Sequence, residues 1–370
     1  MLTLVTFFLI LSLLILVHEL GHFVAAKMSG VLVEEFGLGL PPRLFGKKVG
    51  ETIYSINLLP FGGFVKLFGE DSHLKHPRSF MHKTVIKRTI IISAGVVMNV
   101  VLGLAMYYAL FTFTGKQALN IPLLFDYRFP FGEVSYTNTV ISGFTDETNA
   151  ERSGVSFGDA IYEIDGVPVY NVLDVRKAME GKVGGEVSLL VKDMRIFRSD
   201  QVRTVNVKPV VNEDGDAILG VYLSKSVNIR YKSLLMSAPA HAYNMLAYTY
   251  STFKEFISIS FATKSVEPVS AGVAGPVGIY TIVGAIVSQG GFSAFLSLLD
   301  LTALMSISLA LLNILPLPAL DGGRLVFIIM EGILGKRVNQ KFETSVHKWG
   351  IIFFLFLFFL VTIKDVSRLF

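Results

Sequence analysis

The sequence contains no cysteine among its 370 residues, and only 17% of its residues are charged. The first absence excludes disulfides and thiolate zinc sites, so any metal ion has to be held by His, Asp or Glu. The scarcity of charge, with 52% hydrophobic residues and a mean hydropathy of +0.58, excludes a soluble enzyme and indicates a membrane protein. The sequence also lacks internal repeats and a second broken helix in a matching half, which argues against a transporter.

Long hydrophobic runs are what the sequence does contain. Four of them are plausible membrane-spanning helices, at about 2–26, 90–113, 295–315 and 349–363. The segment 233–262 suggests a fifth span, but one more crossing would invert the last two spans and move their basic loop outside. We therefore expect 233–262 to form a helix on the outer membrane surface or packed on the bundle. The run 277–287 is too short to span.

Two clusters of basic residues set the orientation of these spans. The cluster between the first and second spans consists of Lys27, Arg43, Lys47, Lys48, Lys66, Lys75, Arg78, Lys83, Lys87 and Arg88. The cluster between the third and fourth spans consists of Lys336, Arg337, Lys341 and Lys348. The positive-inside rule places both loops in the cytoplasm, and it places both termini and the region 114–294 outside.

The most informative motif lies inside the first apolar run, where the sequence reads His18-Glu19-Leu20-Gly21-His22. On a helix this spacing puts two imidazoles on one face, where they can share a zinc ion, and the glutamate beside them can take a proton from water. The alternative is a helix end with polar residues at a membrane interface. Three ionisable residues within five positions of a membrane helix make that alternative weak.

A third metal ligand is expected near the end of the third span. The sequence there runs from Asn313 through two prolines to Asp321-Gly322-Gly323, which breaks the helix. Broken backbone at membrane depth is tolerated only where protein or a water cavity covers it. The first and third spans run in the same direction, so Asp321 falls at a depth similar to that of His22. The alternative is a helix C-cap with an Asp-Gly turn at the interface.

These two motifs together resemble the site-two protease family of intramembrane zinc metalloproteases. Further similar segments are Phe36–Pro41 and Gly62–Lys66 in a membrane-embedded hairpin, Ala274–Ile279 before the third span, and the tail Asp365–Leu369. The resemblance implies that His18, His22 and Asp321 bind Zn²⁺ and that Glu19 is the general base. It also implies that Asn313 helps to hold the substrate or the transition state.

The region 118–226 is a polar island that resembles a PDZ domain. Gly158-Asp159 marks the entry to a strand, with apolar Ile161 and Ile164 in it, and Asp165-Gly166 forms a hairpin turn. Residues 171–180 are predicted to be helical, with Val172, Val175 and Met179 as apolar positions. A PDZ fold binds extended peptides at a sheet edge. The alternative is a steric plug without a ligand.

A β-hairpin is expected within residues 31–68. The stretch 51–59 alternates apolar and polar residues, and glycines and prolines mark turns around it. A scissile bond inside a membrane helix is shielded, so the substrate has to unwind, and a free hairpin edge could pair with the unwound segment. We therefore predict that Ile56 and Asn57, on an exposed strand, contact substrate.

The predicted fold is a polytopic α-helical membrane protein. It has about four transmembrane helices, a membrane-associated β-hairpin after the first helix, and one inserted extracytoplasmic PDZ-like α/β domain. The predicted domains are 1–117 with the first two transmembrane helices, 118–226 with the PDZ-like domain, 227–294 with an interfacial helical segment, and 295–370 with the last two transmembrane helices.

The predicted function is that of an intramembrane zinc endopeptidase of a bacterial inner or plasma membrane, with its active site toward the cytoplasm. By resemblance, the substrates are single-span membrane proteins such as anti-sigma factors, already cleaved once outside. Other expected partners are the lipid bilayer and a peptide ligand of the PDZ-like domain, with no nucleic acid. The alternative is a membrane PDZ scaffold with a structural zinc site, but such a site would not need Glu19.

Overall fold

The computed structural model describes residues 1–70, 76–145, 148–194, 202–212, 214–336 and 338–367. The basic residues Lys75 and Arg337, and the end of the tail motif at Arg368 and Leu369, lie outside the described residues. The chain divides into two compact units. The first unit comprises residues 1–107, 259–290 and 298–370, and the second comprises residues 108–258 and 291–297.

Among the described residues, four helices are long and apolar enough to cross a membrane, as the sequence predicts. They are α1 (Leu2–Met28), α2 (Val85–Thr114), α7 (Gly291–Ile314) and α9 (Gln340–Ser367). The helix α4 (Leu234–Thr263) is as long as α2 but is not among them, in agreement with the interpretation of 233–262. The apolar helix α6 (Pro276–Gln289) is too short to span, as predicted.

The predicted hairpin is present between α1 and α2 as two antiparallel strands, β1 (Val33–Val49) and β2 (Thr52–Leu67). Each strand is long enough to be paired more than once. Residues 33–40 of β1 lie between two parts of β2, so that Leu38 is opposite both Gly63 and Ile56. Residues 43–49 of β1 pair in turn with 52–57 of β2. The hairpin therefore presents four adjacent extended segments, in the order 43–49, 52–57, 33–40 and 63–67.

This order corrects the position predicted for Ile56. Ile56 pairs with Leu38 on one side and with Phe45 on the other, so it lies in an inner segment and not at a free edge. A period of two shows which residues share a face of a strand, but it does not show how many neighbours the strand has. Segment 63–67 lies at the edge of the hairpin, because only its β1 side is paired within the described part of the sheet.

The first unit is held together by close helix contacts and by a small core. Helices α1 and α2 cross where a Cβ on Gly21 would lie 2.3 Å from the Ala94 carbonyl oxygen, so only glycine permits this approach. Arg88, predicted to be a loop charge, instead lies in the first turn of α2, where it is buried and paired with Glu331. Buried apolar residues from α1, the hairpin, α2 and α8 (Asp321–Leu334) pack together: Ala25, Ala26, Val31, Val33, Leu67, Phe80, Ile91, Ile92 and Ile328.

Two sequence motifs that were noted separately meet in the first unit. Asp365, in the last turn of α9, accepts hydrogen bonds of 2.8 Å from the backbone N–H groups of Gly275 and Gly278 at the start of α6. Its neighbour Lys364 donates to the Ser270 carbonyl at 2.8 Å, in the short helix α5 (Glu267–Gly272). A carboxylate at a helix N-terminus satisfies N–H groups that have no partner within the helix. The tail motif therefore anchors the N-terminus of α6.

The second unit is built on a seven-stranded sheet. Its strands are β3 (Ile121–Leu123), β4 (Glu133–Phe144), β5 (Asp159–Ile164), β6 (Val167–Pro168), β7 (Val187–Asp193), β8 (Val202–Val207) and β11 (Val221–Arg230). The order is β3-β11-β4-β5-β7-β8, with β6 paired to β5, and a separate pair is formed by β9 (Val210–Val211) and β10 (Ala217–Ile218). The core includes Ile141, Ile161, Ile164, Leu189 and Val191.

The local predictions for this unit are confirmed. β5 begins at Asp159, and Asp165-Gly166 forms its turn to β6 with both residues at positive φ, 50° and 77°. The helix α3 (Val172–Met179) is capped by Asn171, whose side chain accepts hydrogen bonds from two backbone N–H groups. Of its predicted apolar positions, Val175 and Met179 are buried, whereas Val172 is exposed. The predicted boundaries of the four domains stay predictions.

Candidate metal centre

Two imidazoles on one face of α1 form the base of the site. His18 and His22 are one helical turn apart, both are buried, and their Nε2 atoms are 3.2 Å from each other. The ring planes are nearly perpendicular, so the two nitrogens approach one point from different directions. This is the arrangement that the spacing of four residues predicts on a helix.

The turn between α7 and α8 supplies a carboxylate to the same point. Asp321 is the first residue of α8, and the two glycines after it let α8 fold back closely on the turn. A Cβ on Gly322 would lie 2.1 Å from the Leu315 carbonyl oxygen, and one on Gly323 would lie 2.3 Å from that of Leu317. Side chains larger than hydrogen would therefore push Asp321 away from its observed place.

The three side chains converge as metal ligands do. Asp321 Oδ2 lies 3.0 Å from His18 Nε2 and 3.3 Å from His22 Nε2. Zinc bonds of about 2.0–2.2 Å in a tetrahedron put the ligand atoms about 3.3–3.6 Å apart, close to the observed separations. Asp321 Oδ2 is also buried without a hydrogen-bond partner among the described residues. A cation bound to these three atoms would give the buried Asp321 Oδ2 the partner that it lacks.

Partners on α2 fix the orientation of both rings. His22 Nδ1 donates to the Ile91 carbonyl at 2.8 Å, which leaves the lone pair of Nε2 free to bind a metal ion. His18 Nδ1 lies 3.3 Å from the side-chain amide of Asn99, a fully buried residue. The amide nitrogen faces the ring, and Oδ1 has no partner in the described part of the chain. Turning it over lets Oδ1 accept the Nδ1 proton, as metal binding at Nε2 requires.

A glycine on α2 makes room for the histidines. A Cβ on Gly95 would lie 2.4 Å from His22 Nε2 and 2.7 Å from His18 Cε1. Real Cβ atoms do not approach other atoms this closely, so any side chain here would displace both rings. Gly95 and Gly21 together allow α2 to form one wall of the site.

Glu19 lies next to the histidines in sequence and beside the hairpin in space. It is partly buried, and its Cγ would be 3.4 Å from a Cβ placed on Gly63. Gly63 begins the edge segment 63–67 of β2. A carboxylate, three potential ligands and a strand edge are therefore close to one another.

None of the other predicted site residues is hydrogen-bonded to His18, His22 or Asp321 among the described residues. Asn313 lies in the last turn of α7, partly buried, and its side chain makes no hydrogen bond among the residues described. Asn57 is buried in the hairpin, where its amide donates to the Leu38 and Gly39 carbonyls at 3.3 and 3.0 Å. Ile56 is exposed but lies in an inner segment.

Two polar residues near the site were missed by the sequence reasoning. Asn99 is an isolated amide in the otherwise apolar second span, and the rule that polar residues in membrane helices have partners could have identified it. His347, on α9, accepts the backbone N–H of Ala319 at 3.0 Å, two residues before Asp321. No pattern in the sequence links His347 to that turn, because the two are joined only by the packing of α9.

Comparison of the sequence with known proteins finds similarity over nearly the whole chain. The sequence profile of peptidase family M50 matches residues 6–357. A candidate zinc metalloprotease of Clostridium perfringens is 33% identical over 355 residues, which cover 96% of each chain. Another, from Nostoc, is 32% identical over 371 residues, covering 97% of this chain and 94% of the relative. The zinc metalloprotease RasP of Bacillus licheniformis is 26% identical over 449 residues, covering 100% of this chain and 99% of the relative.

Proposed function

The chain belongs to peptidase family M50, and from this premise we propose that it is an intramembrane zinc endopeptidase that cleaves single-span membrane proteins within or near their membrane segments. It is a zinc metalloprotease, which is also the name of the relative RasP, and the other two relatives are candidates for the same activity. The proposal adds where the enzyme works and what kind of substrate it takes.

One observation carries the proposal. His18 Nε2, His22 Nε2 and Asp321 Oδ2 lie within 3.3 Å of one another on or beside helices that are long and apolar enough to span a membrane. A hydrolytic site built into such helices is suited to a substrate that is itself in the membrane. We propose these three residues as the zinc ligands and Glu19 as the general base.

The chemistry follows from these assignments. Zinc, when bound, polarises the scissile carbonyl and makes water a stronger nucleophile near neutral pH. The Glu19 carboxylate accepts the proton of the attacking water and then donates it to the leaving amine. The Ile91 carbonyl and the Asn99 amide hold the two imidazoles so that each presents Nε2. Asn313 is proposed to hold the substrate or the transition state.

Segment 63–67 of the hairpin is the proposed docking edge for the substrate. A Cβ on its first residue, Gly63, would lie 3.4 Å from Glu19 Cγ, and no further strand covers this edge among the described residues. An unwound substrate added at this edge would recover backbone hydrogen bonds close to the carboxylate. Ile56 and Asn57 would act at most indirectly, by supporting the neighbouring segment.

The region 118–226 is proposed to be a PDZ-like domain on the outer side of the membrane. The basic clusters support this orientation, since they flank the spans on the side that the positive-inside rule makes cytoplasmic. The domain would bind a peptide or restrict the size of the substrate ectodomain. Substrates of the anti-sigma-factor type, shortened by an earlier cleavage outside, would fit such a restriction.

The test is a pair of measurements on the full-length protein in lipid. Wild type should contain one zinc per chain and cleave a model single-span substrate, whereas Glu19→Gln should retain zinc and lose cleavage by about 10²-fold or more. Glu51→Gln makes the same chemical change at the tip of the hairpin and should leave both quantities unchanged.

Two outcomes would refute specific assignments. If Glu19→Gln cleaves at a rate near that of wild type, Glu19 is not the base. If zinc-loaded wild type cleaves no membrane substrate while its outer domain binds protein tails, the chain is a scaffold with a structural zinc. Loss of zinc from Asp321→Ala, but not from Asp300→Ala in the same region of sequence, would support the ligand set.

A further inference from the structure

A cavity lies within the first unit, apart from the metal centre. It has a volume of about 350 Å³ and lies between the start of α2, helix α8 and the first half of α9. None of His18, His22 and Asp321 lines it. Its volume falls within the roughly 300–1,000 Å³ of typical ligand sites. Ile92, Phe327, Ile328, Ile351 and Ile352 give it an apolar wall.

Two residues of the cavity lining each carry a buried nitrogen atom that has no hydrogen-bond partner among the described residues. One is Nε of Arg88, a residue only 2% exposed, and the other is Nε2 of His347. His347 Nδ1 accepts the Ala319 N–H, so the neutral ring carries its proton on Nε2. Both atoms are therefore donors. Burying a donor without an acceptor costs about 1–3 kcal/mol, so a ligand that supplies oxygen acceptors would be favoured.

The charges around the cavity leave these donors available. The terminal nitrogen of Arg88 is paired with Glu331 at 2.7 Å, and Arg324 is paired with Glu70, so neither pair uses Nε of Arg88. The remaining charged residues of the lining are Lys348 and Glu343. Lys348 is exposed and has no ion-pair partner in the described part of the chain.

We propose that this cavity binds a glycerophospholipid. Arg88 Nε and His347 Nε2 have almost no accessible surface, so both side chains would turn toward the cavity and then donate hydrogen bonds to the phosphate. An acyl chain would lie along Ile351 and Ile352. Arginine donors and phosphate oxygens form strong charge-assisted hydrogen bonds. Ile351 and Ile352 are about half exposed, and only 6% of the most apolar stretch of α9 is buried in the protein. This wall of the cavity is therefore open to the bilayer.

The position of the cavity favours a lipid over a soluble phosphate compound. Arg88 is in the first turn of α2, and Lys348 precedes the most apolar part of α9, so both lie where a membrane helix meets the headgroup layer. The lining carries three acidic and three basic residues, and of the basic ones Lys348 has no ion-pair partner in the described part of the chain. Basic groups between transmembrane helices can hold lipid headgroups. Phosphate without an acyl chain would leave the apolar wall uncovered.

The bound lipid would be connected to the metal centre through two contacts. His347 holds the turn before Asp321 through Ala319. Ile92 lines the cavity and follows Ile91, whose carbonyl oxygen orients His22. A lipid that fixes His347 and α2 would therefore support two of the proposed ligands. Binding itself does not depend on the proposed peptidase activity.

The experiment measures lipid retained by the purified full-length protein, by native mass spectrometry. Phosphatidylglycerol and diacylglycerol with the same acyl chains are added separately to delipidated protein, and inorganic phosphate is added as a competitor to the complex with phosphatidylglycerol. We expect one phosphatidylglycerol per chain, at least tenfold more retention than for diacylglycerol, and no displacement by inorganic phosphate at the same concentration.

Matched variants locate the site. Arg88→Lys keeps a positive charge beside Glu331 but removes Nε, and Ile352→Phe fills the apolar wall. Each should lower retention at least fivefold, whereas Leu355→Phe, an exposed residue of α9 outside the cavity lining, should not. A single, symmetric size-exclusion peak at the wild-type elution volume for all three variants would show that they are folded.

Several results would overturn the proposal. Equal retention of diacylglycerol would show that the phosphate is not recognised, and displacement by inorganic phosphate would show that the acyl chain is not. An equal decrease in phosphatidylglycerol retention in Ile352→Phe and Leu355→Phe would indicate nonspecific binding of lipid to the surface of α9. Displacement by a model substrate peptide would indicate a peptide site instead.

Discussion

At the scale of single residues, the candidate metal centre depends on groups that do not themselves bind metal. His22 is oriented by a backbone carbonyl, which any residue at position 91 would provide, whereas His18 is oriented by a side chain, that of Asn99. Asn99 is fully buried, and its backbone oxygen accepts a hydrogen bond from Ser306 Oγ at 2.7 Å. The contact with α7 therefore fixes the backbone of Asn99, from which the amide reaches the imidazole.

We predict that Asn99→Ala weakens zinc binding by about 10–100-fold, the usual effect of removing a group that orients a metal-binding histidine. The reason is that the Nδ1 proton of His18 loses its acceptor and the ring is free to rotate. Zinc affinity would be measured by competition with a chelator. Ser306→Ala, which removes only the support of the Asn99 backbone, should change the affinity by a few-fold at most. Equal affinities of Asn99→Ala and wild type would contradict the role of Asn99.

Gly95 allows a second prediction, about space rather than hydrogen bonding. Gly95→Ala should abolish stoichiometric zinc binding, because its Cβ would lie within 2.7 Å of both imidazoles. Gly103→Ala is the matched control on the same helix, since its Cβ would meet the flexible Ile307 side chain at 2.6 Å, away from the ligands. The control should lower thermal stability but retain zinc. The zinc content of the two purified variants would be measured by metal analysis. A Gly95→Ala protein that still contains one zinc per chain would contradict the prediction and show that α2 can move away from the histidines.

At the scale of elements, the turn between α7 and α8 sets the position of Asp321. Ala319 in this turn has a φ of +73°, a left-handed conformation that costs a residue with a side chain about 1–2 kcal/mol. Its N–H donates to His347 on α9. One hydrogen bond contributes about 0.5–1.5 kcal/mol, which is similar to the strain it opposes.

This balance predicts that one substitution rescues another. His347→Phe should weaken zinc binding several-fold because the turn loses its anchor. Ala319→Gly removes the strain and should restore most of the affinity in the double variant, while having little effect alone. Zinc affinities of wild type, the two single variants and the double variant, measured by competition with a chelator, give the coupling energy between positions 319 and 347. If the double variant binds zinc as weakly as His347→Phe, the strain in the turn is irrelevant.

The hairpin shows how far elements can be predicted from sequence. Alternation in 51–59 and the surrounding turn residues correctly predicted extended segments between the first two spans. They could not predict that 52–57 lies between two parts of β1, because strand neighbours depend on the path of the chain and not on its period. In the same way, spacing predicted that His18 and His22 share a face, whereas the contact of His347 with the turn required the packing of α9.

The tip of the hairpin gives a prediction about pH. Hydrogen bonds from Arg78 and then from Lys27 lower the pKa of Glu51 from its ordinary 4.5 to about 2. Because the folded state favours the ionised form, the stabilisation is fully present above the unfolded pKa and is lost as pH falls toward 2. The difference in thermal midpoint between wild type and Glu51→Gln should be small, constant from pH 7 to about 5.5, and should shrink below about 4.5. A difference that grows on acidification would contradict this pairing.

At the scale of the whole molecule, the structure suggests where the chain can be cut. The sheet of the second unit begins near Gln117 and ends near Arg230, and these two residues form a β-bridge. Ala118 N–H also donates to the Ile229 carbonyl at 2.8 Å. The two ends of the inserted region are therefore adjacent, and a few flexible residues can join them without displacing the helices they lead to. Removing residues 132–226 instead would take away two of the three residues that pair with β3 and all the β4 partners of the end of β11.

We therefore predict that joining Gln117 to Arg230 through a short Gly/Ser linker leaves the metal centre working, because all the proposed ligands and Glu19 belong to the first unit. If the removed domain restricts substrate size, the shortened protein should cleave a short-ectodomain substrate at near wild-type rate and should also accept a long-ectodomain substrate that wild type rejects. The comparison is made in cells that lack the protease responsible for the first cleavage, with Glu19→Gln in the shortened chain as the inactive control. Continued rejection of the long substrate would rule out the restriction. If the shortened protein is folded and zinc-loaded but no longer cleaves the short substrate, the removed domain recruits substrate. Removing a domain that only excludes long substrates would not lower cleavage of short ones.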